Sequence, residues 1–253
     1  PAGLQNITFG FEFNQSLDNV PWPAYLQSLT FGCNFNQSLD KVIWPACLRS
    51  FTLGRDFNQN LDQVTWPAGL QNLIVSQKNT QRLKSARWPA SLQSLTLGPE
   101  CKHSLANVTW PSSLQSLTLG SDFTQGLNDV TWPPDLQSLT FGCHFNYLEL
   151  NFHQAVANVM WPASLRSLTL GCLFNHRLDD VTWPANLQSL TFGPKFNQSL
   201  DNVTWPAGLQ NITFGFEFNQ SLDNVRWPMS LQNLTFGGDF DQSLHNVTWP
   251  PSI

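Results

Sequence analysis

A tryptophan that returns at a fixed interval constrains the fold of this chain more than any other feature. Successive Trp residues stand 22 positions apart along the 253 residues, except for one step of 29 positions between Trp132 and Trp161. A constant period of this length is the signature of a solenoid, in which each unit buries its apolar side chains only against its neighbours. The sequence therefore predicts a single solenoid domain over residues 1–253, built from eleven units of 22 residues with a seven-residue insertion near 144–153.

The unit reads L-Q-S-L-T-F-G-x-x-F-N-Q-S-L-D-x-V-T-W-P-A-x, and its positions are numbered here from the first Leu, so that Leu4 is position 1 and Trp22 is position 19. Positions 4 to 6 alternate apolar and polar residues, which indicates a half-buried strand. Gly holds position 7 in ten of the eleven units, where we expect either a positive φ or a close backbone approach. A Pro follows every Trp, so we expect a return leg of turns and short 3₁₀ pieces with little α-helix.

The stretch Phe-Asn-Gln-Ser-Leu recurs through the chain, most clearly at residues 35–39 and 196–200. In this and in its opening L-x-x-L-x-F, the unit resembles the FNIP repeat, a relative of the leucine-rich repeat. The chain differs from that family in having Trp-Pro where Leu-Pro is expected. The resemblance implies a β-rich, leucine-rich-repeat-like right-handed solenoid with one short parallel strand per unit. It also implies protein–protein interaction. Some relatives carry an F-box, which none of these residues forms.

The composition narrows the class of partner. Charged residues make up 11% of the chain, against about 25% in ordinary soluble domains. A net charge of −5 gives no electrostatic reason to bind nucleic acid. No apolar run is long enough for a transmembrane segment, which leaves peripheral membrane association open. Neither end shows the atypical repeat that caps a solenoid, so we expect the chain to belong to a longer polypeptide.

No arrangement of residues points to catalysis. The five His residues fall at scattered positions of the unit, and no Ser/His/Asp set or zinc spacing is present. We therefore expect a protein that is not an enzyme and that uses no cofactor or metal. Cys143 and Cys172 occupy position 8 of successive units, which leaves a disulfide open although the insertion lies between them. The odd number of Cys favours an intracellular location without fixing it.

Two rows of small polar residues follow the predicted strands. Position 3 is Ser or Asn in every unit, and position 5 is Thr in all units but one, which has Ile74. Three explanations of these rows are open. Either Thr simply favours exposed strands, or the rows form a protein-binding face, or they form an ice-binding face. The Ser-x-Thr members, here called the Ser-x-Thr array, are Ser28, Thr30, Ser50, Thr52, Ser94, Thr96, Ser116, Thr118, Ser138, Thr140, Ser167, Thr169, Ser189 and Thr191.

Other recurring polar residues have structural interpretations. Asn at position 11, from Asn14 and Asn36 to Asn219, predicts a side-chain ladder that satisfies the backbone of a turn. Asp at position 15, as in Asp18, is interpreted as a turn cap. The ten N-x-[ST] sequons are interpreted as by-products of the repeat.

Breaks in the pattern are the places where a specific partner would bind. Basic residues are concentrated in the fourth and fifth units. These residues either bind an acidic partner or lipid headgroups, or they reflect neutral sequence drift at a solvent-exposed edge. The insertion adds apolar residues that either anchor a partner or fold back onto the core. The candidate partner-binding residues are Lys78, Arg82, Lys84, Arg87, Lys102, Tyr147, Leu148 and Leu150.

These observations favour a non-enzymatic interaction protein or structural scaffold, such as a peripheral subunit of a larger assembly. Two alternatives stay open at this point. One is an ice-binding solenoid that uses the Ser/Asn-x-Thr rows, and the other is the substrate-recognition part of an F-box-type adaptor. Fold resemblance does not decide among them.

Overall fold

The computed structural model of the chain describes residues 3–75, 83, 85–99, 104–123, 125–127, 129–144 and 159–251. These ranges contain one short strand per unit and no helix, and hence no helix long and apolar enough to cross a membrane. The strands are β1 (Asn6–Thr8), β2 (Ser28–Thr30), β3 (Ser50–Leu53), β4 (Asn72–Val75), β5 (Ser94–Leu97), β6 (Ser116–Thr118), β7 (Ser138–Thr140), β8 (Ser167–Thr169), β9 (Ser189–Thr191), β10 (Asn211–Thr213) and β11 (Asn233–Thr235).

All eleven strands pair in parallel in one sheet, in the order in which they occur along the chain. Equivalent positions of neighbouring units face each other, as Ser138 faces Ser167 and Thr140 faces Thr169 between β7 and β8. The sheet register is therefore the same on both sides of the insertion. The predicted fold class, a leucine-rich-repeat-like β-solenoid with one parallel strand per unit, is confirmed.

The return leg differs in detail from the prediction of 3₁₀ pieces. In the first unit, three separate turns each contain one i+3 to i backbone hydrogen bond, donated by the N–H groups of Phe13, Val20 and Leu26. A 3₁₀ helix needs such bonds in succession, and the described residues contain none. The Pro that follows each Trp lacks an N–H and cannot extend a turn into a helix.

The core consists of columns of equivalent side chains. Leu residues at positions 1, 4 and 14 and Phe residues at positions 6 and 10 are almost wholly buried in the inner units. Phe196 and Phe218 stack nearly parallel with ring centroids 5.9 Å apart, and Trp205 and Trp227 stack at 6.3 Å. Each fully buried side chain of this size contributes about 1.5–3 kcal/mol, but only after a neighbouring unit covers it. Stability is therefore cooperative along the stack.

Gly at position 7 is required by a close backbone approach rather than by its φ angle. No described Gly has a positive φ. A Cβ added at Gly215 would lie only 2.1 Å from the carbonyl oxygen of Gly193, in the preceding unit. Gly10 occupies the same position in the first unit, and a Cβ there would meet nothing within 4 Å. Of the two explanations open from the sequence, the close approach is the correct one.

The Trp column contains buried hydrogen-bond donors that mostly lack acceptors. Trp161 donates its indole N–H to the backbone oxygen of Thr182, in the next unit, at 3.0 Å. Nine other Trp residues bury the same N–H without an acceptor among the described residues. They are Trp22, Trp44, Trp66, Trp88, Trp110, Trp132, Trp183, Trp205 and Trp227. The Trp ring contributes apolar contact area to the stack, whereas the unpaired indole N–H lowers the stability of most units.

Candidate functional site

The side chains at positions 3 and 5 of the eleven strands form one surface of the sheet, here called the strand face. Every member of the Ser-x-Thr array lies on it and is half-buried, while the residue between each Ser and Thr points into the core. Parallel pairing in register aligns the hydroxyls in two rows, with about 4.7–4.9 Å between neighbouring strands. The Thr row is interrupted in β4 by Ile74, whose side chain is 38% exposed.

Serine hydroxyls elsewhere in the unit are used inside the protein. At position 22, Ser230 Oγ lies 2.6 Å from the carbonyl oxygen of Ala207 and 2.8 Å from that of Leu209. At position 13, Ser16 Oγ accepts the backbone N–H of Asp18 at 3.2 Å. Among the described residues, by contrast, no array hydroxyl makes a hydrogen bond to another residue. The strand face therefore keeps its hydrogen-bonding capacity for an external partner or for water.

The strand face is also free of charge. Positions 3 and 5 hold only Ser, Asn, Thr and Ile in all eleven units. At the neighbouring position 2, Arg49 directs its guanidinium to the backbone oxygens of Ala46 and Gly69, at 3.2 and 3.3 Å. Removing neutral hydroxyls and amides from water costs less than removing charges, and the cores of protein interfaces are depleted in charged residues. The surface is therefore compatible with close contact by another macromolecule.

The predicted Asn ladder is present and lies apart from the strand face. Asn14 Oδ1 accepts the backbone N–H of Asn36 at 2.9 Å and the side-chain amide of Gln37 at 3.0 Å. The same pair of bonds recurs in the third unit and again from the ninth to the eleventh unit. One bond of each pair satisfies a backbone N–H of a turn that has no strand partner, and the other holds the side-chain amide of the Gln on the same oxygen. The role of these Asn and Gln residues is therefore structural.

Comparisons with known proteins agree with this geometry. The sequence pattern of the FNIP repeat matches residues 102–144, 174–217 and 218–253, which include the Asn and Gln residues of the ladder in the last units. The chain belongs to the FNIP-repeat family. No curated protein matches the sequence of this FNIP-repeat chain.

The matches to the FNIP-repeat chain among solved structures include two leucine-rich-repeat proteins. One is CroV588, described as a novel circular leucine-rich-repeat protein structure, with 33% sequence identity, a TM-score of 0.76 and coverage of 100% of this chain. The FNIP-repeat chain spans 40% of the length of that protein. The other is a leucine-rich repeat protein from Bacteroides ovatus with 13% identity over 95% of this chain and 66% of its own length. Its TM-score of 0.21 is too low to support an argument.

The acidic row at position 15 of the FNIP-repeat chain does not act as the turn cap that its composition suggests. The oxygen that accepts the Asp18 N–H belongs to Ser16, two residues earlier, and Ser38 does the same for Asp40. A Ser hydroxyl that accepts the backbone N–H two residues later forms an ST-turn, so the Ser and not the Asp caps this turn. Within the described ranges, no three His, Cys, Asp or Glu side chains are grouped so that they could hold a metal ion.

A disulfide joins Cys143 to Cys172, with their Cα atoms 4.2 Å apart. Both residues hold position 8, so the bridge connects two neighbouring units at the point where the strand ends. This settles the question that the sequence leaves open, because the insertion leaves the strand ends adjacent. Cys33 and Cys47 are free thiols, and Cys101 lies outside the described residues.

Most of the predicted partner-binding residues lie outside the described part of the FNIP-repeat chain. Arg87 is described, and its side chain is exposed at position 18. The other seven lie outside the described residues. These are Lys78, Arg82, Lys84, Lys102, Tyr147, Leu148 and Leu150.

Open crevices recur on the Trp-Pro side of the solenoid, a feature that the sequence patterns did not reveal. Two lie between positions 15–19 of one unit and positions 18–21 of the next, with volumes of about 390 and 460 Å³. A third, of about 1000 Å³, extends over the same positions of the ninth, tenth and eleventh units. The residues before each Trp, such as Asn107 and Thr109, form their walls. The only sequence signal for them is the repeated Asn-Val-Thr-Trp-Pro, which by itself indicates a turn.

Proposed function

We propose that this chain is a non-enzymatic interaction scaffold that binds a protein partner across its strand face. The observation that carries the proposal is the contrast between the hydroxyls of the Ser-x-Thr array, which have no intramolecular partner, and those at positions 13 and 22, which do. Solenoids of parallel units present extended surfaces of this kind. A partner with exposed backbone or side-chain amides would find both donors and acceptors along the rows.

The chemistry of the strand face favours a partner whose contact surface is neutral and polar. Uncharged hydroxyls offer no long-range electrostatic attraction, so recognition depends on shape and on hydrogen bonds made at contact. Ile74 supplies an apolar site within the Thr row, between Thr52 and Thr96 on the adjacent strands. Such a residue inside a polar surface is suited to anchor a partner side chain. Membership of a larger assembly, as a peripheral subunit, is part of the same proposal.

The basic residues of the fourth and fifth units form a second proposed contact, directed at an acidic partner or at lipid headgroups. The apolar residues Tyr147, Leu148 and Leu150 of the insertion form a third. Reversal of charge at Lys78, Arg82 and Lys84 tests the second contact, because a partner that depends on it must be lost. A partner set that does not change would remove these residues from the interface.

The main test compares two pairs of substitutions in affinity capture with quantitative mass spectrometry. Thr140→Arg with Thr169→Arg places two charges on the strand face, at positions that face each other in β7 and β8. Thr182→Arg with Thr204→Arg places the same charges at exposed positions of the return leg. We expect the first pair to lose the partner and the second to retain it, with circular dichroism spectra unchanged in both. Equal capture by both pairs would place the interface elsewhere.

Ice binding is a second candidate, supported by the regular register of the Thr row from β5 to β11. Thermal hysteresis of the purified chain is the measurement that decides it, and freezing without hysteresis rejects it. The third hypothesis, an F-box-type adaptor, depends on an F-box in a longer protein that contains this chain. A full-length protein that contains this chain but no F-box would reject that hypothesis and leave the scaffold proposal standing.

A further inference from the structure

The ten N-x-[ST] sequons of the chain occur at three positions of the repeat unit. The sequence alone makes them look equivalent, but the structure places them in different surroundings. Position 3 contributes Asn6, Asn211 and Asn233; position 11 contributes Asn14, Asn36, Asn197 and Asn219; position 16 contributes Asn107, Asn202 and Asn246. An N-linked glycan needs a side-chain amide that is exposed and uncommitted, so the three groups can be compared on that basis.

The sequons at position 11 are committed to the Asn ladder. Asn197 Oδ1 accepts both the backbone N–H of Asn219 and the side-chain amide of Gln220, each at 2.9 Å. Asn36 makes the equivalent pair of bonds at 2.8 and 3.1 Å. These bonds end on Oδ1 and hold the side-chain amide in the ladder, so transfer of a glycan to Nδ2 would require the amide to leave it. These four Asn residues are therefore poor acceptors in the folded chain.

The sequons at position 3 lie in strands. Asn233 Nδ2 donates to Asn211 Oδ1 at 2.7 Å, and Asn211 Nδ2 lies 3.5 Å from the backbone oxygen of Gln188. Asn6 has no side-chain partner among the described residues, but its backbone is held in β1 by the pairing with β2. Acceptor Asn residues are typical of surface loops, which sets this group apart from the third.

The sequons at position 16 sit on an exposed turn. The Asn and the Thr of each are exposed, whereas the Val between them is buried or half-buried; Val108 and Val203 are each only 5% exposed. Burial of Val anchors the turn and leaves both groups that a glycosyltransferase recognises on the surface. Asn107 adopts a φ of 62°, a left-handed turn conformation that Asn tolerates better than other non-Gly residues. Asn107 and Asn202 also line the open crevices of the Trp-Pro side.

We propose that Asn107, Asn202 and Asn246 are the N-glycan acceptor sites of the folded chain. The donor is a lipid-linked oligosaccharide diphosphate. In the transfer, Nδ2 of the Asn forms a bond to the anomeric carbon of the first sugar, and the bond from that carbon to the diphosphate oxygen breaks. The lipid diphosphate leaves with the electron pair, and a base takes one proton from Nδ2. The Cys143–Cys172 disulfide is an independent feature of the same oxidising compartments in which this reaction occurs.

The proposal does not depend on the scaffold function, but the two are compatible. Position 16 belongs to the return leg, so glycans there are remote in the unit from positions 3 and 5. They would cover the Trp-Pro side in three of the eleven units and leave the strand face accessible.

The test is site-resolved mass spectrometry of the whole chain after passage through the secretory pathway of a eukaryotic cell. Enzymatic release of N-glycans converts each occupied Asn to Asp, which marks the site by mass. We expect occupancy at Asn107, Asn202 and Asn246 and at none of the position-11 residues. Absence of glycan at all three, or occupancy confined to the position-3 or position-11 sequons, would overturn the proposal.

A set of variants separates glycosylation from folding. The triple change Asn107→Gln, Asn202→Gln and Asn246→Gln must abolish the mass shift on glycan release. The matched change of Thr109, Thr204 and Thr248 to Ala leaves the three Asn residues in place and must abolish it as well. Circular dichroism shows whether each variant keeps the wild-type fold. A glycan that persists in either folded triple variant would contradict the assignment.

Discussion

The side-chain oxygen of Asn197 accepts the backbone N–H of Asn219, in the next unit, at 2.9 Å. Gln220 donates its side-chain amide to the same oxygen at 2.9 Å. One side-chain oxygen thus closes two hydrogen bonds between units, and the repetition of this arrangement along the return leg complements the parallel sheet on the other side of the unit.

Replacement of this ladder residue should therefore destabilise the stack. We expect Asn197→Ala to lower the free energy of unfolding by about 1–3 kcal/mol, because the N–H of Asn219 and the amide of Gln220 both lose their acceptor. Asn202→Ala changes an exposed Asn in the same unit and should have an effect within about 0.5 kcal/mol of zero. Urea denaturation followed by circular dichroism measures both. Equal effects of the two variants would contradict the structural role of the ladder.

The glycine column provides a second prediction with a control at the same position of the unit. Gly215→Ala introduces a Cβ against the backbone of Gly193 and should cost about 1–3 kcal/mol through overpacking, whereas Gly10→Ala meets open space. Thermal unfolding midpoints should fall for the first variant and stay near the wild-type value for the second. A loss of stability at Gly10 as large as that at Gly215 would show that backbone conformation, not close approach, selects Gly.

Tryptophan substitutions test the unequal pairing of the indole groups. Trp161→Phe removes a hydrogen bond to Thr182, whereas Trp183→Phe removes a buried donor without an acceptor among the described residues. Both Trp residues are half-buried and lose similar ring area, so we expect Trp161→Phe to be more destabilising by about 1 kcal/mol. Denaturant unfolding curves of the two variants give this difference directly. A larger loss in Trp183→Phe would mean that its N–H has an acceptor in solution.

Reduction of the Cys143–Cys172 disulfide should lower the free energy of unfolding, because the unfolded chain regains the entropy of an open loop. The two residues are 29 positions apart, and the chain-entropy relation for a loop of that length gives about 3–4 kcal/mol. We expect the unfolding midpoint to fall with a dithiol reductant in the wild type and to be insensitive to it in Cys143→Ser with Cys172→Ser. Peptide mapping without reduction should recover the two cysteines in one linked peptide pair. Recovery of both as free thiols would contradict the bridge.

The periodic features of this protein could be predicted from the sequence because the same physical requirement recurs in every unit. The strand at positions 3–5, the buried Leu and Phe columns and the Asn ladder all follow from the alternation of residues and the period of 22. Features that depend on atomic distances between units could not be predicted in this way. Examples are the contact that excludes a side chain at Gly215 and the unequal surroundings of Trp161 and Trp205.

The strand face was also partly predictable. The rows of Ser and Thr are visible in the sequence, but the sequence does not distinguish Ser138, whose hydroxyl has no partner, from Ser230, whose hydroxyl contacts two backbone oxygens. That distinction needs the position of the neighbouring backbone. The absence of an intramolecular partner within the described part of the chain, and not the composition alone, makes the Ser and Thr rows a candidate binding surface.

Site-specific photo-crosslinking tests the central claim most directly. A photoreactive amino acid is placed at Thr140, on the strand face, or at Thr204, on the return leg, and each chain is irradiated in an extract of the organism that encodes it. The account predicts a covalent adduct with a partner protein from Thr140 and little or none from Thr204, with both chains folded. Adducts from Thr204 alone, or equal yields from both positions, would contradict the strand face as the interaction surface.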